Sequence, residues 1–292
     1  MAFDKKIFET RASTAIVFVI VMALGLLLNR WSFFILFSVI HFGCWMEYQR
    51  LVGLIDKEYQ QISPFHKYGV MIAGWCIMLW FTNDGFNIFG LRLHELGWWI
   101  GLLFIFVLPI MELMLAKTVR LKNIGHSAFG LVYISLSLGL LTGLYGMGIY
   151  IYDRTDSPNF ATRWSMHLVI IGALWINDTM AYIIGSLIGK HPLSGISPKK
   201  TWEGTVGGLV LTIAIAGFIA YLLEVDIVRF MTIAGIAGVA GTFGDLLESK
   251  IKRLADVKDS GTMMPGHGGF LDRFDSMLVA IPFVWLYLII TT

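Results

Sequence analysis

Charge is scarce in this chain of 292 residues: Asp, Glu, Lys and Arg make up 14% of it, against 57% hydrophobic residues. With a mean hydropathy of +0.72, that composition excludes an ordinary soluble globular domain. Cysteine is almost missing. Cys44 and Cys76 both fall inside apolar runs and supply neither a disulfide framework nor a metal-ligand spacing. The seven histidines are scattered, with no pair at zinc-ligand spacing; His41, His126 and His167 read as packing or boundary residues. There is no internal repeat, no low-complexity tract and no soluble domain, and the G-x-x-x-x-G-K-[ST] phosphate loop is absent. Function therefore has to lie in the apolar segments and in the loops that join them.

Those segments are long enough to cross a bilayer, which takes about 20 residues of helix. Spans are expected near 13–29, 31–47, 68–82, 97–115, 126–150, 165–188, 205–223, 228–247 and 276–291. The expected fold is thus an all-α polytopic integral membrane protein of about nine transmembrane helices. One membrane domain covers 1–292, with N-terminal spans in 1–125 and a catalytic half in 126–292 carrying the polar loops 189–204 and 248–275. The basic start and apolar run of "MAFDKKIFETRASTAIVFV" look like a signal peptide, but no small-residue cleavage site follows, so an uncleaved first span is expected.

Alternating the segments across the membrane divides the basic residues unevenly. Seventeen fall on the side of the N-terminus and the 48–67, 116–125, 189–204 and 248–275 loops; only Arg30, Arg92, Arg154, Arg163 and Arg229 fall on the other. By the positive-inside rule the N-terminus and both long polar loops face the cytoplasm. Trp31, Trp98, Trp99, Tyr150, Tyr152 and Trp164 mark the opposite boundary as an aromatic belt would.

Chemistry-bearing residues concentrate in a few stretches. Gly235, Gly238, Gly241 and Gly244 recur every third residue, a stripe that lets another backbone approach closely. After it come Asp245, Ser249 and Lys252 on one helical face, with Glu248 beside them. Asp272 and Asp275, three residues apart, open the last span. Two carboxylates there and one from the preceding helix would make a hard oxygen site suited to Mg²⁺. In "GKHPLSGISPKKTWEGTVGG", Lys199, Lys200 and Thr201 precede a span, where lysines and helix N-terminal N–H groups can cradle phosphate; simple positive-inside anchoring explains that loop about as well. Asn177, Asp178 and Thr179 interrupt an apolar span, with Asp178 about 18 Å of helix before Lys190. A carboxylate at such a depth implies a polar cavity opening to the cytoplasmic side. Glu47 and Glu112 lie at inner span ends without accompanying motifs and read as structural or interfacial. Asp178 alone would also suit a secondary transporter, but such folds are built from repeats, and none is visible.

From Ser249-Lys250-Ile251-Lys252-Arg253 through Lys258-Asp259 and Pro265-Gly266-His267-Gly268-Gly269 to Asp272-Arg273-Phe274-Asp275, the chain closely resembles the C-terminal signature of the phosphatidate cytidylyltransferases. "SPKKTWEG" and "FGDLLES" resemble internal motifs of the same family; Met180 departs from it, standing where a small residue is usual. The resemblance implies transfer of CMP from CTP to phosphatidate, giving CDP-diacylglycerol and pyrophosphate, with Mg²⁺ and room for a second cation such as K⁺. It implies metal-binding roles for Asp245 and Asp272, with Asp275 close by. Lys252, Arg253, Lys258 and Arg273 would neutralise phosphates, and Asp259 and His267 join this catalytic group. Asp178, Ser197, Lys199, Lys200, Thr201, Glu203 and Ser249 form the expected substrate-binding group. Expected partners are CTP, phosphatidate, membrane lipids and, from the small-residue stripes, a second copy of the chain, but not nucleic acid. The expected location is a bacterial inner membrane with the active site towards the cytoplasm.

Overall fold

A computed structural model of the chain describes residues 5–115, 120–146, 166–262 and 268–291, the side chains of 5–12 excepted. Helices α1 (Lys5–Leu27), α2 (Arg30–Ile55), α3 (Pro64–Trp80) and α4 (Leu93–Leu115) are followed by α5 (Leu121–Gly130). A π-helical segment, Leu131–Leu136, carries α5 on into α6 (Ser137–Gly146). After 147–165, which lie outside the described residues, come α7 (Met166–Ile188), α8 (Trp202–Leu222), α9 (Ile227–Leu254) and α10 (Leu271–Thr291). The strands described are β1 (Asn87–Ile88) and β2 (Leu91–Arg92), a short antiparallel turn between α3 and α4. Among the described residues six helical stretches are long and apolar enough to cross a membrane: 93–115, 121–145, 166–188, 202–222, 227–254 and 271–291. A shorter apolar run covers 13–27. The protein is an all-α integral membrane protein.

Several helices outrun their apolar windows. α2 continues to Ile55, α9 to Leu254, and α8 and α10 begin at Trp202 and Leu271. Hydropathy marks where lipid ends; backbone hydrogen bonding and capping decide where a helix ends. Asn29 shows this: its side chain accepts from Trp31 N (2.8 Å) and Ser32 N (3.0 Å), and Ser32 Oγ reaches back, closing a capping box that separates α1 from α2.

The chain forms two compact units, residues 1–142 with 251–274 and residues 143–250 with 275–292. In the first, Phe33, Phe37, Trp45 and Tyr48 of α2 are buried. Their helix is tied to the π segment where Ser135 Oγ meets His41 Nε2 (3.0 Å) and accepts from Trp45 Nε1 (2.8 Å). His66 Nε2 lies 2.8 Å from Ser127 Oγ and His66 Nδ1 lies 2.9 Å from Glu112 Oε2, so Glu112 is structural. In the second unit α7 packs along α8, with Gly204 and Gly208 giving way to Ala181 and Gly185. The stripe on α9 is filled from within the chain: Gly235 faces Ile213, Gly238 faces Leu209 and Asn177, and Gly241 faces Leu174.

Candidate functional site

In the second unit, Asp245 and Glu248 of α9 and Asp275 of α10 bring one carboxylate oxygen each within 4.8 Å of one another. Asp245 is half-buried; Glu248 and Asp275 are buried. Spacing i, i+3 puts the first two on one face of α9, and Gly244 brings in the third. A Cβ at Gly244 would run into the backbone of Asp275 and Ser276, so only glycine allows this approach. Ser249 Oγ donates to Asp245 Oδ1 (3.2 Å) and Ser276 N to Asp275 Oδ1 (2.6 Å). Lys200 Nζ forms an ion pair with Asp245 Oδ2.

A cavity of about 340 Å³ adjoins these groups, lined in part by Asp178, Lys199, Lys200, Thr201 and Asp245. Asp178, whose depth in α7 led to the expectation of a cavity, is among its lining residues. The 189–204 loop is folded back on itself. Lys190 N and His191 N donate to Glu203 Oε2 (3.1 and 3.2 Å), His191 Nδ1 lies 2.5 Å from Glu203 Oε1, and Leu193 N donates to Lys200 O (2.7 Å). Glu203 therefore braces the loop. Thr201 caps α8 through Gly204 N (3.2 Å), and Trp202 N donates to His191 O (2.9 Å). The expected backbone phosphate cradle at this helix start is in large part occupied by the chain's own acceptors; what faces the cavity is the pair of lysine side chains. Ser197 contributes its carbonyl, which accepts from Lys200 N at 3.1 Å.

Asp272 lies in the first unit and is not one of the three clustered carboxylates. Its Oδ1 accepts from Lys252 Nζ (2.6 Å); its Oδ2 accepts from Ser260 N (2.8 Å), Ser260 Oγ (2.9 Å) and Gly269 N (2.7 Å). Arg253, Lys258, Asp259 and Arg273 are exposed, and His267 lies outside the described residues. Two acidic residues outside the expected metal set make contacts of note. Glu248, noticed beside Asp245, joins the carboxylate cluster, and its i+3 spacing was the available signal. Glu47 meets the residues just before α10, 223 positions away along the chain, a pairing for which no local signal exists.

Hard carboxylate oxygens from two helices held close by a glycine suit Mg²⁺, which could take one or two of the three and complete its shell with waters and substrate phosphates. The donor set fits that ion, with Asp245, Glu248 and Asp275 as the residues that would hold it.

The sequence pattern of the cytidylyltransferase family matches residues 9–291. Phosphatidate cytidylyltransferase of Bacillus subtilis is 33% identical over 185 residues, 60% of this chain and 64% of that protein. The Staphylococcus saprophyticus enzyme of the same name is 35% identical over 203 residues, 67% of this chain and 74% of that protein. A chloroplastic relative from Arabidopsis thaliana, phosphatidate cytidylyltransferase 4, is 38% identical over 189 residues, 59% of this chain and 48% of that protein. The chain thus spans between about half and three quarters of the length of these relatives. With the pattern matched from residue 9 to residue 291, the chain belongs to the cytidylyltransferase family.

Proposed function

We propose that this protein transfers the CMP moiety of CTP to phosphatidate, forming CDP-diacylglycerol and releasing pyrophosphate. The observation that carries the reading is the cluster of Asp245, Glu248 and Asp275 beside a lysine-lined polar cavity, in a chain of this family. A phosphate oxygen of phosphatidate attacks the α-phosphorus of CTP. The bond from that phosphorus to the oxygen bridging the β-phosphate breaks, and pyrophosphate departs. Since the nucleophile belongs to the lipid, the chain needs no serine, cysteine or histidine nucleophile. Its task is to align two anionic reactants and offset the charge that develops on the transferred and departing groups.

Lys199 and Lys200 border the cavity and would meet phosphate oxygens there. Asp245 holds the Lys200 ammonium in place. Asp178, on the same wall, would orient water or a ribose hydroxyl. Bound at the three carboxylates, Mg²⁺ would act as a Lewis acid towards the phosphate oxygens. Lys252, Arg253, Lys258 and Arg273 are the further basic residues that the family resemblance assigns to phosphate. The asymmetry of basic residues supports nine spans, a cytoplasmic N-terminus and a cavity opening to the cytoplasm, where CTP is available; bacterial relatives support an inner-membrane location.

The direct test is pyrophosphate release by purified protein in detergent, supplied with CTP and phosphatidate, with and without Mg²⁺, beside Asp245→Asn. Metal-dependent release lost in the variant is the expected outcome. Folded wild-type protein that turns over no lipid phosphate would sink the assignment.

A further inference from the structure

Glu47 sits near the inner end of α2 with 9% of its surface exposed. A carboxylate so buried needs compensation, and here it has a tailored seat. Its Oε1 accepts from Phe270 N (2.9 Å); its Oε2 accepts from Leu271 N (2.9 Å) and Ser260 Oγ (2.6 Å). The first N–H groups of α10 are thus used by the protein itself: Leu271 N by Glu47, Asp272 N by Ser260 Oγ (3.3 Å), and Arg273 N and Phe274 N by Phe270 O. A helix start is a ready anion site, and here an internal carboxylate from a distant helix fills it. The glycines of the adjoining loop make the room. A Cβ at Gly261 or at Gly269 would overlap the Glu47 carboxylate. Gly268 adopts φ +87, and a Cβ there would press on Asp272.

We propose that Glu47 is a positioning residue that, through Ser260 and the backbone at 269–271, fixes the Lys252–Asp272 pair for the reaction. One hydroxyl links the two acids: Ser260 Oγ lies 2.6 Å from Glu47 Oε2 and 2.9 Å from Asp272 Oδ2. Ser260 N and Gly269 N hold the same Asp272 oxygen, leaving Oδ1 to aim Lys252. The seat demands an acid and rejects its amide. Each oxygen of Glu47 takes a backbone N–H, so either orientation of a glutamine would point its NH₂ at a donor. The glycine-rich stretch ahead of α10 is accordingly a receptor for the protein's own carboxylate at Gly261 and Gly269.

The proposal rests on the cytidylyltransferase reading for its consequence and on geometry for its cause, so two measurements separate them. The first is a double-mutant cycle on pyrophosphate release with Glu47→Gln, Asp272→Asn and the pair. The expected result is a kcat loss of about tenfold or more for Glu47→Gln, with KM for CTP within about twofold. In the pair, the loss should be no greater than for Asp272→Asn alone, since Glu47 acts through Asp272. Losses that multiply, or an unchanged kcat in Glu47→Gln, would overturn it. The second is amide hydrogen exchange of the intact protein in detergent. Glu47→Gln and Gly269→Ala should both speed exchange over 268–274 while α7 and α8 keep wild-type protection. Unchanged exchange over 268–274 overturns the anchor. Wild-type protein without turnover removes the cytidylyltransferase reading, and exchange then decides the anchor alone.

Discussion

Two groups of carboxylates, one in each compact unit, have opposite chemistry. Around Glu47 and Asp272 every oxygen is met by a backbone N–H, a hydroxyl or the Lys252 ammonium. At Asp245, Glu248 and Asp275 three carboxylates crowd within 4.8 Å, with Lys200 paired to Asp245. Like charges at such distances repel unless a cation or a proton intervenes. The first group has the character of a structural joint; the second concentrates negative charge from two helices, which a bound cation would relieve. A count of acidic residues would not separate them, whereas the closeness of the carboxylates to one another does.

The comparison can be broken most sharply by exchanging acid for amide on each side. Asp275→Asn should cut turnover by about a hundredfold or more and abolish the thermal stabilisation given by Mg²⁺. That stabilisation should reach about 2.7 kcal/mol when the ion is at a hundred times its dissociation constant. Asp272→Asn should keep the Mg²⁺-induced shift while lowering stability by about 3 kcal/mol, because it breaks a poorly exposed ion pair with Lys252. A lost Mg²⁺ shift in Asp272→Asn would merge the two groups and return Asp272 to the metal set.

Smaller effects sharpen the picture. Glu248→Gln should raise the Mg²⁺ concentration for half-maximal turnover by about tenfold, read from a metal titration. Gly244→Ala should lower stability by about 1–3 kcal/mol through overpacking against the Asp275 backbone, and weaken Mg²⁺ with it; calorimetry and the same titration measure both.

The smallest effect lies away from both groups. Asp56, beyond the end of α2, is held below its ordinary value of 3.8 chiefly by a hydrogen bond from Lys122. A depressed acid stabilises the fold above its unfolded value and loses that contribution as pH falls through the lower, folded one. Asp56→Asn should therefore cost a little stability at neutral pH and progressively less as pH falls below the ordinary value of 3.8, with Lys122 exposed enough for salt to shrink the difference.

What sequence could disclose follows from these distances. Asp245 and Glu248 share a helix face and a few letters of text, so helical periodicity reveals them. Asp275 needed only the assumption that the last helix had already begun, and it begins at Leu271. The all-α membrane architecture was legible because lipid tolerates so few alternatives. Helix ends were not, because Thr201 and Asn29 set them by capping while hydropathy reports only lipid contact. Spacing and motif alike place Asp272 with the metal residues; its hydrogen bonds to Ser260 and Gly269 depend on how the loop folds. Glu47 was the least legible, a lone acid with no neighbouring motif.

The separation of 223 residues between Glu47 and Phe270 also has a meaning in time. A ribosome adding about 5–20 residues per second would take roughly 10–45 s to make the partner of an acid already delivered to the membrane. Throughout that interval α2 carries a carboxylate whose seat does not yet exist, and water or lipid headgroups must shelter it. Ser260, Phe270 and Leu271, the groups that receive the carboxylate, are thus among the last parts of the chain to be made. A chain stalled before that point would present a naked acid at the membrane border, a mark by which quality control could tell an unfinished molecule from a finished one.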